Sequence, residues 1–299
     1  GVFDHIFIYS TSPITTALLG IFLKKKYKKK ITLWIQDLWP ESVESTGYIK
    51  NKFFLYLISL IVKYIYKQSD NLVAQSKGFK KNIRKYSNKK VKIVENSHFI
   101  LENKKIKIPS KINNLLQKKF CVTFAGNIGK AQSITTILEA CRKLKSYRNI
   151  HVILIGGGSE VKNIKNLIKK YSINNISIFG PYSSDLAFKI LKKSKASLLS
   201  LKKNDIFSMT IPNKFQTYLC AGKPILVSAN GEVSKLTNIN KVGLTSPAEN
   251  FLKLSKNIIK LYKMSSKETK KIKYNCLKYY KNSFDINKQT KKLLNIFES

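Results

Sequence analysis

Two kinds of segment alternate along this chain. Short β-branched runs at 6–9, 31–35, 71–74, 91–94, 121–125, 152–155, 176–179, 196–200 and 224–227 read as buried strands. Between them lie longer stretches with helical spacing, among them 134–144, 160–171 and 184–193. Strand and helix in alternation predict parallel sheets joined by right-handed crossovers, an α/β architecture. The alternation breaks at about 101–119, a polar, Lys-rich stretch carrying Pro109, which is where a domain boundary is placed. The expected units are a first domain over 1–103, a second over 104–280, and a helix over 281–299 packing back on the first domain. Two doubly wound sheets joined this way leave a cleft at the carboxyl ends of their strands, where ligands of such folds bind.

The most apolar stretch, 53–66 (FFLYLISLIVKYIY), is too short to span a bilayer and is interrupted by Lys63. It reads as a core helix, with a membrane-surface helix as the alternative. The first residues, GVFDHIFIYS, have no basic n-region or cleavage-like segment and read as a strand entered in mid-domain.

At 299 residues the chain is long enough for two cores. The balance of 56 Lys and Arg against 16 Asp and Glu, a net charge of +40, points to acidic partners. The excess is nearly all Lys and travels with abundant Asn, Ile and Tyr, so compositional drift of an AT-biased coding sequence competes as its cause. The lysines are spread along the chain and no helix-turn-helix or RNP motif occurs, which argues against nucleic acid as the partner. Cys121, Cys141, Cys220 and Cys276 show no CxxC pairing, so neither a zinc site nor a disulfide framework is indicated, and a reducing cytosol fits.

Three loops carry the chemistry. In Phe124-Ala125-Gly126-Asn127-Ile128-Gly129-Lys130 a strand runs into two glycines and then a helix expected near Ala131, an arrangement that brings backbone N–H groups to an anion, with Lys130 adding a point charge. The same spacing serves as a tight strand-to-helix turn. Gly156-Gly157-Gly158 follows the next strand, and three consecutive glycines favour a ligand-facing loop. In the third, a helix opened by Pro212 closes on Gly222 and leads at once into a buried strand.

The order FAGNIGKAQS, VILIGGGSE, IPNKFQTYLCAGKPILVSANGE resembles the donor-binding domain of the group 1, family 4 glycosyltransferases of GT-B fold. The earlier IQDLWPES and NLVAQSKGFK resemble a bacterial branch that includes fucosamine transferases of surface-polysaccharide assembly. The resemblance implies that Gly126, Asn127, Gly129 and Lys130 approach the donor diphosphate, that Gly156 and Gly157 lie near the nucleotide base, that Lys214 sits near the diphosphate and that Glu232 contacts donor sugar or phosphate. The family's two glutamates eight apart fall here on Met209 and Thr217, leaving Thr217 as a weaker ribose contact. A diphosphate-binding arginine is replaced by Asn127, and the lysine that follows it by Gln132. Family members usually begin with a further strand, glycine loop and helices, so the first domain is expected to be incomplete.

On the acceptor side, Asp37 and Glu41 follow a strand beside Trp34 and Trp39, the two tryptophans of the chain, and are candidates to bind acceptor hydroxyls or assist proton transfer. The alternative for Glu41 is a cap of a helix opened by Pro40. Asp37, Glu41 and Glu232 are the candidate catalytic carboxylates. Ser10, Thr11 and Ser12 end the first strand and suit hydroxyl or phosphate contact, or routine N-capping. His98 reads as a linker histidine.

The expected activity is transfer of a sugar, a UDP-hexosamine derivative, from a nucleotide diphosphate donor to a lipid-linked glycan in O-antigen or capsule assembly, by a peripheral protein at the cytoplasmic face of the plasma membrane. The family is retaining, no metal or cofactor is implied, and the nucleotide sugar is a co-substrate. Two rivals are a UDP-sugar 2-epimerase on the same fold, which needs no acceptor, and a non-enzymatic basic protein of nucleic-acid or membrane surfaces, whose binding would fall steeply with salt.

Overall fold

The computed structural model describes residues 3–46, 49, 51–97 and 106–298. His98 and the 103/104 boundary lie outside the described residues. The chain divides into two compact units: Gly1–Ser97 with Asn204–Ile211 and Asp285–Ser299, and His98–Lys203 with Pro212–Phe284.

The first unit holds β1 (His5–Ser10), β2 (Lys30–Ile35), β3 (Asn71–Ala74) and β4 (Val91–Ile93), paired parallel in that order. Its helices are α1 (Ala17–Tyr27), α2 (Glu41–Thr46), α3 (Lys52–Gln68) and α4 (Lys77–Ile83). Because the strands step one way, right-handed crossovers set α1, α3 and α4 on one face of the sheet. Period-two alternation divides the side chains accordingly. Ile31, Leu33 and Ile35 of β2 join a core with Ile21, Val62, Ile65 and Phe79 from those helices. On the opposite face Trp34 and Val73 pack with Ile296, and His5 stacks on Phe297 at 4.7 Å.

The second unit begins with α5 (Ser110–Lys118), followed by β5 (Phe120–Ala125), α6 (Ile134–Lys143), β6 (Ile150–Ile155), α7 (Val161–Lys170), β7 (Ile176–Phe179), α8 (Ser184–Lys193) and β8 (Ala196–Ser200). After α9 (Asp205–Met209), in the first unit, come α10 (Asn213–Ala221), β9 (Ile225–Ser228), α11 (Glu232–Ile239), β10 (Gly243–Ser246), α12 (Phe251–Tyr262) and α13 (Ser266–Ser283). Helix α14 (Ile286–Phe297) ends the described chain in the first unit. The sheet order is β10-β9-β8-β5-β6-β7. The winding reverses between β5 and β8, the switch point at whose carboxyl ends doubly wound folds bind ligands.

Three features differ from the sequence expectation. Strand β10 was not anticipated, because Gly-Leu-Thr-Ser is a four-residue edge strand with a half-buried pattern and no apolar run. Segment 204–211 belongs to the first unit, not to 104–280: the Ser76 hydroxyl donates to Met209 O at 2.9 Å, and Gly78 is tight enough that a Cβ there would lie 2.7 Å from the same oxygen. The return to the first unit falls at Asp285 rather than 281.

Helix α3 departs from the core reading of 53–66. Val62, Ile65 and Tyr66 are buried, whereas Phe53, Phe54, Tyr56, Leu57, Leu60, Ile61 and Tyr64 are exposed. Its register on the sheet gives the core only one narrow stripe.

Candidate functional site

In the second unit the loops after β5, β6 and β7 close over a cavity of about 480 Å³. Ala125 and Gly126 come from the first loop, Gly156 and Gly157 from the second, and Pro181 and Tyr182 from the third; Lys214, Thr217 and Tyr218 of α10 complete it with Phe188 of α8.

The two glycine loops are laced together by their backbones. Gly126 N donates to Ile155 O at 2.9 Å, Ile128 N to Gly157 O at 2.7 Å, and Glu160 N to Ile128 O at 3.0 Å. A Cβ on Gly156, whose φ is +147°, would stand 1.9 Å from Gly126 O. Gly158, at φ +145°, is equally closed off, by the Asn127 side chain and Ile128 O at 2.5 Å each. Packing therefore constrains Gly156 and Gly158, while Gly156 and Gly157 line the cavity. Gly157 is the one of the three with room for a side chain, Pro181 lying at an ordinary 3.8 Å.

Tyr218 anchors the floor. Its hydroxyl accepts from Ala125 N at 2.9 Å and donates to Ala125 O at 3.1 Å, fixing the last residue of β5 where the Gly126 turn begins. The side chain is fully buried, and burial raises its phenol well above the usual value.

Lys214, in the first turn of α10, is the chemically distinctive group. The residue as a whole is half-buried, but its Nζ is shielded from solvent and has no hydrogen-bond partner among the described residues. It lies 4.3 Å from the centroid of the Phe124 ring, and a Cβ on Gly126 would be 3.4 Å from it. Burial lowers its pKa from the ordinary lysine value to about 8. A buried ammonium with only an aromatic face for company is costly, and an anion in the cavity would supply the missing partner. The N-terminal amides of α10 point the same way by dipole. Thr217 lines the cavity one turn later, its hydroxyl held by Asn213 O at 3.2 Å.

Of the other sequence candidates, Asn127 is exposed, with its side chain against Gly129 and Gly158. Gly129 is buried, and its N–H is taken by Gln132 Oε1 at 3.2 Å. Lys130 is exposed and opens a 3₁₀ turn, Lys130–Gln132; Ser133 follows at φ 43°, and α6 begins only at Ile134 rather than near Ala131. None of Asn127, Gly129 and Lys130 lines the cavity. Glu232 is half-buried at the start of α11, behind Gly231 with φ +78°.

In the first unit, Ser12 and Ser42 both donate their hydroxyls to the Asp37 carboxylate, and Trp39 Nε1 donates to Ser12 Oγ at 2.9 Å. Asp37 is thus oriented by two hydroxyls at the end of β2. Glu41 is turned inward: Oε1 accepts from Asn82 Nδ2 at 2.7 Å and from Tyr86 Oη at 3.0 Å, with Lys85 Nζ at 3.8 Å. Burial, then the Glu41 charge, raises the Tyr86 phenol. Glu41 therefore holds α2 and α4 in place. Ser10 is buried, its carbonyl accepting from Gln36 N at 2.9 Å, whereas Thr11 is exposed. Among the described residues no group of three or more His, Cys, Asp or Glu gathers as a metal site.

Sequence reasoning missed Tyr218, Pro181 and Tyr182. Gly180-Pro181 directly after β7 was a readable turn signal, but Tyr218 sits mid-helix, where an aromatic reads as core.

Residues 105–278, more than half the chain, match the family described as Glycosyl transferases group 1. The uncharacterized glycosyltransferase MJ1069 of Methanocaldococcus jannaschii is 26% identical over 290 residues, 95% of this chain and 72% of that protein. Among solved structures, Anabaena Alr3699/HepE in complex with UDP and glucose superposes with a TM-score of 0.75 at 14% identity, covering 98% of this chain and 77% of that one. The E. coli trehalose-6-phosphate structure bound with UDP-2-fluoro glucose gives 0.76 at 12% identity, covering 100% and 74%. The fold is GT-B.

Proposed function

This chain belongs to the glycosyl transferases group 1 family, and we propose that it moves a sugar from a UDP-sugar, a UDP-hexosamine derivative, to a lipid-linked glycan acceptor at the cytoplasmic face of a membrane, in surface-polysaccharide assembly. The observation that carries the donor reading is the orphaned ammonium of Lys214 beside Gly126, in the lining of a cavity with room for a nucleoside diphosphate. The Anabaena and E. coli structures with UDP and a UDP-sugar analogue support the same choice of donor.

In this reading the diphosphate lies against the N-terminal turn of α10. Lys214 and the helix amides stabilise the negative charge that grows on the diphosphate as the glycosidic bond breaks. Gly157, Pro181 and Tyr182 take the nucleoside, Thr217 the ribose. Glu232 faces the donor sugar or phosphate, and Asp37, oriented by Ser12 and Ser42, serves the acceptor hydroxyl.

Calorimetric titration with UDP, GDP and a short oligonucleotide tests this. UDP binding that exceeds GDP binding and collapses in Lys214→Met is the expected result. Oligonucleotide binding without nucleoside diphosphate binding would overturn it.

A further inference from the structure

The outer surface of the first unit has an unusual chemistry. Helices α1 and α3 pack side by side, joined where Lys24 Nζ meets Gln68 O at 2.8 Å and the Asp70 carboxylate at 2.7 Å. Each buries one face on the sheet: Ala17, Gly20 and Ile21 from α1, Val62, Ile65 and Tyr66 from α3. On an ordinary outer helix the opposite face is polar. Here it is apolar, with Leu19 66% exposed, Phe22 60%, Phe53 64% and Phe54 54%. Leu57, Leu60, Ile61 and Tyr64 continue the stripe along α3, so that 53 to 64 runs about 16 Å at helical rise.

Lysine dominates the charge bordering the stripe, with Asp70 paired to Lys24 and Asp4 to Lys29. The segment 17–30 carries six lysines, 51–68 carries three, and neither contains an acidic residue. Lys25, Lys26, Lys52, Lys63 and Lys67 are exposed. The described helices include none long and apolar enough to cross a membrane. An aromatic-rich apolar face rimmed by lysines matches the interface of an anionic bilayer, where rings enter the headgroup layer and ammonium groups meet lipid phosphates. A protein partner would meet the apolar stripe equally well, but it would not call for a border so rich in lysine.

We propose that the joint outer face of α1 and α3 is a docking surface for anionic lipid membranes. This deepens the membrane-side reading above by naming the surface that meets the bilayer. It does not depend on the identity of the donor.

Vesicle cosedimentation of the whole chain tests it, with vesicles of phosphatidylcholine alone and of phosphatidylcholine containing one third phosphatidylglycerol. The chain should bind the anionic vesicles and little of the neutral ones, with binding reduced by high salt. Phe22→Ser/Phe53→Ser/Phe54→Ser should lower partitioning at least tenfold. Lys25→Glu/Lys26→Glu should do so by about fivefold or more per reversed charge on anionic vesicles. Removing exposed apolar groups should leave the circular dichroism and melting temperature unchanged, which separates loss of docking from loss of fold. UDP titration of both proteins keeps the two readings distinguishable: lost vesicle binding with retained UDP binding in the triple variant supports the surface, and vesicle binding without UDP binding by the wild type would count against the donor site alone. Equal partitioning of wild type and triple variant would overturn the proposal. So would sedimentation equilibrium showing a dimer that the variant breaks, with no vesicle binding by the monomer.

Discussion

Lys214 Nζ stands 4.3 Å over the Phe124 ring, shielded from solvent, with no oxygen in hydrogen-bonding reach among the described residues. The protonated form is the costly one in the fold. Its penalty is fully present below about pH 8 and is relieved as pH rises from there toward the ordinary lysine value. Lys214→Met keeps the contact with Phe124 and removes the charge. It should therefore raise stability at pH 7 by roughly 2–3 kcal/mol, several degrees in melting temperature, while abolishing UDP binding. Thermal melts at pH 7 and pH 10 check the sign, since the gain should shrink at the higher pH.

Gly156 and Gly157 should respond differently to the same change. Gly156→Ala places a methyl 1.9 Å from Gly126 O on a backbone with φ +147°, so the laced loops must part. Destabilisation of at least about 2–3 kcal/mol is expected. Gly157→Ala meets only Pro181 at 3.8 Å, so its fold should hold and its effect should appear in nucleotide affinity. Paired denaturant melts and UDP titrations of the two variants make the comparison.

Tyr218→Phe removes both hydrogen bonds to Ala125. A loss of about 1–3 kcal/mol follows from leaving buried backbone groups unpaired. Loosening the Gly126 turn should weaken UDP as well, measurable in the same titration.

The architecture was legible because its signal is periodic. The β-branched runs at 121–125 and 152–155 fall within β5 and β6, and Pro212 and Gly222 bracket α10. The cavity-lining glycines at 126, 156 and 157 stood out in the sequence because glycine at a strand's end is costly unless something requires it. The site was not legible where the role depends on what lies opposite. Nothing in the sequence shows that Gly156 is held against Gly126 O while Gly157 has room for a side chain, or marks Tyr218 as the clamp on Ala125. Phe53–Tyr66 misled for a related reason. Hydrophobicity shows that a segment avoids water, but not whether it packs against protein.

Glu41 belongs with the structural residues. Glu41→Ala strands Asn82 and Tyr86 and should cost the first unit about 1–3 kcal/mol while leaving UDP affinity in the second unchanged. Denaturant melts of this variant beside UDP titration test that division.

The account turns on Lys214 receiving an anion, and proton uptake on UDP binding tests it most directly. Calorimetry in buffers of different ionisation enthalpy measures the protons taken up. With a free-state pKa of about 8, uptake should be small at pH 6.5 and approach one proton at pH 9. Affinity should fall about tenfold per pH unit above 8, until the raised pKa of the bound state is reached. UDP that binds with no proton uptake at pH 9, or that binds Lys214→Met as tightly as wild type, would contradict it.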